Sequence, residues 1–214
     1  MKIGIMGGTF DPVHLGHLLA AEQALEAHSL DEVWFLPAYL PPHKRKHTVT
    51  PPGLRLAMLK EGIRDQPRFR VEEAELRRGG ITYTVDSVRE LCRTYPQHDF
   101  HYMIGSDARA SLPGWRGIEE IAARVGFIEL KRQGCPDTGR ALPEFIADKM
   151  RSAGMTPVGL SSADVRARRD AGLSIRYLVP ERVLRIIESS GLYRPDEQAE
   201  VRNVSISITG GTDS

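Results

Sequence analysis

At 214 residues, 41% of them hydrophobic and 27% charged, the chain is long enough for a sizeable core and has the composition of an ordinary soluble globular protein. A net charge of +1 creates no overall field toward nucleic acid or an anionic membrane, and no apolar run approaches the roughly 18 residues of a membrane span. Its two cysteines, Cys92 and Cys135, lie far apart and form no CxxC pattern, and the N-terminus has no signal-peptide pattern, so a cytoplasmic, reducing compartment is expected.

The chain opens with an apolar strand over 2–6 that runs into Gly7-Gly8-Thr9-Phe10-Asp11-Pro12-Val13-His14-Leu15-Gly16-His17. The glycine pair is expected at the strand end, free to take positive φ and let a ligand approach the main chain. Asp11-Pro12 reads as a turn. An amphipathic helix is expected over 14–27, with His14 and His17 sharing the face of its first turn. There they stand beside unpaired main-chain N–H groups and the positive end of the helix dipole, which makes a phosphate site with two added imidazole donors. Half of a metal site is the other reading of such a pair, but no further ligands stand out nearby and no metal is expected on the protein.

A buried strand follows over 32–37, then a loop over 38–50 rich in proline and basic residues, with Lys44 within reach of the phosphates. The basic runs at 44–47 and 166–169 also fit solvated faces. Thr50 is expected to cap a helix carrying Leu54, Leu56, Met58, Leu59 and Ile63, entered through Pro51 and Pro52. A strand is read over 69–76 and a helix over 84–95 with Val85, Val88 and Leu91 inward and Cys92 on its apolar side.

The alternation then repeats: strand 100–104, ending in Gly105-Ser106-Asp107, helix 118–125, strand 126–130, a helix through 145–150 and a last strand over 156–160. Helices over 162–171 and 180–190 close the unit. Such interleaving predicts an α/β fold, a Rossmann-like doubly wound parallel sheet with helices on both faces and a small C-terminal helical part. Residues 1–194 are expected to form one domain, and 195–214, poor in large apolar residues, a mobile tail.

Ligands of such sheets bind beyond the carboxyl ends of the strands. At that rim Ser161 or Ser162 can cap the 162–171 helix, and its N–H groups with Arg166 make a second anion site, which suits a polyphosphate. Asp107 at a strand end is placed to meet a ribose hydroxyl. Trp115 in a turn-rich loop fits either core packing or stacking on a planar ring. The chain has no GxGxxG, no P-loop and no nucleophile elbow. Main-chain N–H groups, imidazoles, Arg and Lys stabilise charge without a covalent intermediate, which suits direct phosphoryl or nucleotidyl transfer.

The segment from Gly7 to His17 resembles the signature of the nucleotidylyltransferase superfamily, whose H-x-G-H element is shared with class I aminoacyl-tRNA synthetases. Ser161-Ser162-x-x-Val165-Arg166 resembles its second motif, usually I-S-S-T-x-I-R, with Ala163 in the Thr position. More narrowly, the chain to about Arg194 resembles bacterial nicotinate-nucleotide adenylyltransferases through Pro-Pro-His-Lys44, Thr82-Tyr83-Thr84, Ile104-Gly-Ser-Asp107, Trp115 and the 172–180 segment with Leu192-Tyr193.

That resemblance implies the joining of ATP and nicotinate mononucleotide into nicotinate adenine dinucleotide and pyrophosphate, with Mg²⁺ accompanying ATP. It implies His14, His17 and Arg166 as catalytic and Gly8, Thr9, Phe10, Gly105, Asp107, Ser161 and Ser162 with them as the ATP site. Lys44, Thr84 and Trp115 would meet the mononucleotide, with Trp115 stacked on the pyridine ring. Neither nucleic acid nor membrane is an implied partner, and a homo-oligomer stays open. Gln133 stands where the family often has Pro. Phosphopantetheine adenylyltransferase, another small-substrate nucleotidylyltransferase and a non-catalytic nucleotide sensor are the competing readings. The choice between acid and amide mononucleotide turns on whether N–H groups near Thr84 face a carboxylate.

Overall fold

The structure is a computed structural model that describes residues 1–40, 49–132 and 141–194. Lys44 with its basic run, Gln133, Cys135 and the 195–214 tail lie outside the described residues. Six strands, β1 (Lys2–Gly8), β2 (Glu32–Pro37), β3 (Phe69–Val71), β4 (Asp99–Gly105), β5 (Gly126–Arg132) and β6 (Met150–Met155), form one sheet in the order β3-β2-β1-β4-β5-β6. Every pairing is parallel. The chain winds outward from β1 to β3, then returns to place β4 on the other side of β1. A crevice therefore opens between β1 and β4 at their carboxyl ends.

The strand pleat sorts side chains into two cores. Met6 of β1, Val33 and Phe35 of β2, Met103 of β4 and Ile128 of β5 face one side. There they meet Ala21, Ala24 and Leu25 of α1 (Leu15–Ala27) and Met58 and Leu59 of α2 (Pro52–Ile63). Ile3, Ile5, Trp34, Leu36, Phe100, Tyr102, Ile104 and Phe127 face the other. Their partners there include Ala74 of α3 (Ala74–Arg78) and Val85, Val88 and Leu91 of α4 (Thr84–Thr94).

A short α5 (Ser106–Arg109) leads into a 3₁₀ turn at Leu112–Gly114 and then α6 (Ile118–Arg124). Beyond the one-turn α7 (Glu144–Ala147), α8 (Ser162–Asp170) and α9 (Glu181–Ser189) cover the α1 side through Val165, Val183, Leu184 and Ile187. Cys92 is half-buried at the edge of the second core, and burial pushes its thiol up. Among the described residues no helix is long and apolar enough to cross a membrane.

Several expected boundaries move, each for a tertiary reason. Gly7 and Gly8 belong to β1, paired with Leu36 and Pro37, and neither has positive φ. The left-handed residue is Phe10, with φ of 50°. Helix α1 begins after His14 and is apolar around most of its surface, because it faces the sheet on one side and a cavity on another. Strand β3 ends at Val71, since the buried Glu72 carboxylate accepts the Ala74 N–H at 3.1 Å and starts α3. The last strand is β6 over Met150–Met155, paired residue by residue with β5, while 156–160 is irregular. Thr50 does not cap α2; Pro51 takes that position without a side-chain bond.

Candidate active site

His14 is the N-cap of α1, extended at φ −140°, ψ 168°, and buried to 4% exposure. Its Nδ1 accepts the His17 main-chain N–H at 3.3 Å, while His17 Nδ1 accepts the His14 N–H at 3.3 Å. The exchange is a capping box made of two imidazoles in place of Ser and Glu. The rings stack with centroids 3.7 Å apart. With both Nδ1 atoms accepting, each neutral ring carries its proton on Nε2. Gly16 permits this packing: a β-carbon there would stand 3.0 Å from His14 Nδ1 and 3.6 Å from the Leu160 carbonyl.

Two chambers open at the carboxyl edge of the sheet, one on each face. The first, about 350 Å³, is bordered by His14, His17, Gly105, Ser161 and Ser162 over a floor that includes Met6 and Met103. The second, about 640 Å³, is bordered by Gly8, Thr9, Glu75, Thr84, Tyr102 and Trp115. Gly7 and Ala108 belong to both walls. The Tyr102 hydroxyl sits where a β-carbon of Gly7 would stand, so the partition holds only at a residue without one. This, rather than freedom of φ, is why glycine is required at position 7.

Nine of the expected site residues divide between the two chambers, and Phe10 and Arg166 line neither. His14, His17, Gly105, Ser161 and Ser162 meet at the first chamber. Gly8 and Thr9, grouped with them on sequence, instead join Thr84 and Trp115 at the second. Phe10 belongs to neither wall; its buried ring packs edge-on against His17 at 5.1 Å and tilted against Phe35. Trp115 is edge-on to Tyr102 at 5.9 Å with its indole 3.4 Å from Ser111 Oγ, so it packs on the core and lines the chamber at once. Asp107 is placed in α5 just beyond β4.

Ser161 caps α8, accepting the Asp164 N–H at 3.2 Å, and Asp164 accepts the Ser161 N–H at 2.8 Å and hydroxyl at 2.6 Å. The two Ser161 donors hold the Asp164 carboxyl below the usual carboxylate range. Ser162 and Arg166 reach across to the turn before α1. Ser162 Oγ donates to the Pro12 carbonyl at 2.9 Å and the Arg166 guanidinium to the Asp11 carbonyl at 2.7 Å.

The sequence reading missed the buried network behind that turn. Arg55 has 0% exposure and, among the described residues, no carboxylate in its hydrogen bonds. Its guanidinium donates to the carbonyls of Thr9 at 2.7 Å, Tyr39 at 2.9 Å and Thr50 at 2.9 Å. Burial lowers its pKa and Asp11 opposes the shift. The Asp11 carboxylate accepts the Thr50 N–H at 3.2 Å and the Tyr193 hydroxyl at 2.6 Å. Arg55 thus ties both ends of the 39–50 segment to the histidine-bearing turn. Its only outward signal was an arginine among apolar neighbours, which reads as a solvated position.

The family model for cytidylyltransferase-like proteins matches residues 5–168, a span that includes both helix starts. A protein of Exiguobacterium sibiricum described as a probable nicotinate-nucleotide adenylyltransferase is 46% identical over 193 residues, covering 90% of this chain and 99% of its own. The chain belongs to the cytidylyltransferase-like family and, within it, to the nicotinate-nucleotide adenylyltransferases. A similarly described protein of Salinibacter ruber is 42% identical, with 92% of this chain and 100% of its own covered. The Plasmodium falciparum nicotinic acid mononucleotide adenylyltransferase complexed with NaAD superposes with a TM-score of 0.70 over 90% of this chain and 97% of its own. At 19% identity that likeness bears on the fold, which is the same Rossmann-like sheet.

Proposed function

We propose that the chain joins ATP and nicotinate mononucleotide to give nicotinate adenine dinucleotide and pyrophosphate, as a cytoplasmic step of NAD synthesis carried by residues 1–194. The observation that carries this reading is the pair of chambers meeting at Gly7 and Ala108, one beside the histidine-capped helix and one beside Thr84 and Trp115. A reaction between two nucleotides needs both held at once, with the reacting phosphates at the junction.

The adenosine triphosphate takes the first chamber, with Gly105 and Asp107 at the ribose. An oxygen of the mononucleotide phosphate attacks the α-phosphorus; the new P–O bond forms as the bond to the β-phosphate oxygen breaks, and pyrophosphate leaves with that electron pair. The attacking phosphate is already ionised, so no general base is required. His17 and His14 offer Nε2–H donors at the N-terminus of α1, where charge builds on the α-phosphate. Ser162 and Arg166 hold the departing end. Mg²⁺ enters with ATP as part of the substrate; among the described residues no group of three or more His, Cys, Asp or Glu is gathered to hold it.

The second chamber suits a carboxylate-bearing ring. Helix α4 starts at Thr84 on its wall and has no side-chain cap, so the first-turn N–H groups and the dipole favour an anion there. Trp115 offers an aromatic face beside it, and Lys44 would add positive charge near the phosphate. Pyrophosphate release in the presence of ATP, Mg²⁺ and nicotinate mononucleotide tests the reading. The signal is expected only with all three present and to be greater with the acid than with the amide mononucleotide. Equal or better turnover with phosphopantetheine overturns it, as does ATP binding without turnover on any acceptor.

A further inference from the structure

Glu75 places a buried carboxyl on the wall of the second chamber, 6% exposed, beside Thr82 and Thr84. The Ser87 hydroxyl, 0% exposed in the first turns of α4, donates to its Oε1 at 2.5 Å. Thr82, 5% exposed, lies beside the same carboxyl and favours its ionised form. Arg78 donates to the Ser87 oxygen at 2.8 Å and pairs with Glu90 at 2.7 Å, which closes the polar group against α4. Tyr102 lines the same chamber as Thr84, and its hydroxyl fills the space beside Gly7.

The segment at this chamber runs from two glycines into α4. Before it, Gly79 and Gly80 both have positive φ, at 69° and 72°, and Ile81 is 55% exposed. Thr82 N–H donates to the Leu40 carbonyl at 3.2 Å, an attachment to the loop after β2. Tyr83 and Thr84 follow at the uncapped start of α4. A buried carboxyl from α3 that grips a hydroxyl one turn inside α4 fixes where this start lies. An unpaired carboxyl would be costly in such a place, and the Ser87 hydroxyl plus the neighbouring Arg78 guanidinium offset that cost.

We infer that Glu75 is a positioning residue for acceptor selectivity, holding Ser87 so that the α4 N-terminus meets the ring substituent of the mononucleotide. This rests on the adenylyl-transfer reading given above. Glu75 need not touch the substrate: its effect passes through the placement of Thr84. The inference concerns the acceptor side alone, because the first chamber shares no wall with Glu75, Thr82 or Ser87.

Steady-state kinetics of Glu75→Ala, Glu75→Gln and Ser87→Ala against wild type test it, with separate KM values for ATP and acceptor. Wild-type turnover is measured first, so failure of the activity itself is seen before any variant is judged. In Glu75→Ala the KM for nicotinate mononucleotide is expected to rise about tenfold, the effect of losing one buried hydrogen bond to a carboxylate, with ATP KM within about twofold. The ratio of kcat/KM for acid over amide mononucleotide falls in the same variant. Glu75→Gln, which still accepts from Ser87, recovers most of both, and Ser87→Ala reproduces the loss at smaller size. Should Glu75→Ala fail to fold, Ser87→Ala carries the same comparison. Equal effects on both KM values, or an unchanged acid-to-amide ratio in Glu75→Ala and Ser87→Ala, overturn the inference.

Discussion

The Tyr193 hydroxyl donates to Asp11 Oδ1 at 2.6 Å, a bond between residues 182 positions apart. It joins the segment after α9 to the turn that leads into the histidines. Burial and the Asp11 carboxylate both push the Tyr193 phenol upward, so it stays a donor throughout the working pH range. Tyr193→Phe is expected to leave that oxygen short of a donor and to cost about 1–3 kcal/mol in denaturant unfolding. Turnover should fall with it, because Asp11 also carries the carbonyl that holds Arg166. A midpoint and a kcat both equal to wild type would show the bond to be idle.

The histidine pair caps α1 and, in the proposed reaction, also donates to the α-phosphate. His17→Ala is expected to lower kcat about 10²–10³-fold, the size of effect seen when an oxyanion-type donor is lost. The same change removes one arm of the reciprocal cap, with a stability loss of about 1 kcal/mol. Stopped-time pyrophosphate assays and thermal melts on His14→Ala and His17→Ala separate the two effects. A fall in kcat no larger than the stability loss accounts for would reduce the pair to a cap.

Gly7→Ala directs a β-carbon at the Tyr102 hydroxyl. Little turnover and a lowered melting temperature are expected, since overpacking of this kind costs about 1–3 kcal/mol. Adding Tyr102→Phe removes the obstructing oxygen and should recover part of the stability, giving a coupling energy that a double-mutant cycle reads directly. Additive losses would place the damage elsewhere.

Burial raises the Glu75 carboxyl above its ordinary value of 4.5, with Ser87, Thr82 and Arg78 opposing. Folding therefore favours its protonated form. That contribution is complete below the unfolded value near 4.5 and is given up as pH climbs through the higher folded value. Unfolding free energy measured from pH 4 upward should fall less steeply in Glu75→Gln than in wild type. Identical slopes would mean that the carboxyl does not titrate over that window.

Sequence periodicity accounts for most of the frame. Strands β1, β2 and β4 alternate or run apolar between turn residues, and their ends agree with the reading to within a residue or two. The three-residue spacing of His14 and His17, and the serine pair before Arg166, mark both helix starts at the first chamber. What escaped has a common origin in contacts between distant segments. Strand β6 contains Arg151, Ser152 and Gly154 and owes its form to pairing with β5, whereas Val158 and Leu160 are apolar for the α1 side and the first chamber. The strand read over 69–76 stops early because Glu72 is turned inward by Arg77 and the Ala74 N–H. Arg55 has the spacing of a surface residue, and only the folded positions of Thr9, Tyr39 and Thr50 reveal why it is inside.

The first chamber draws its floor from the α1 face of the sheet and the second from the α4 face, and small residues alone are common to both. Substitutions at Trp115, Thr84 or Glu75 therefore leave the histidine side untouched, and the reverse holds for changes around Leu19 or Met155. Under the proposed reaction, a change of acceptor calls for remodelling on the α4 side alone, with the histidine side kept intact.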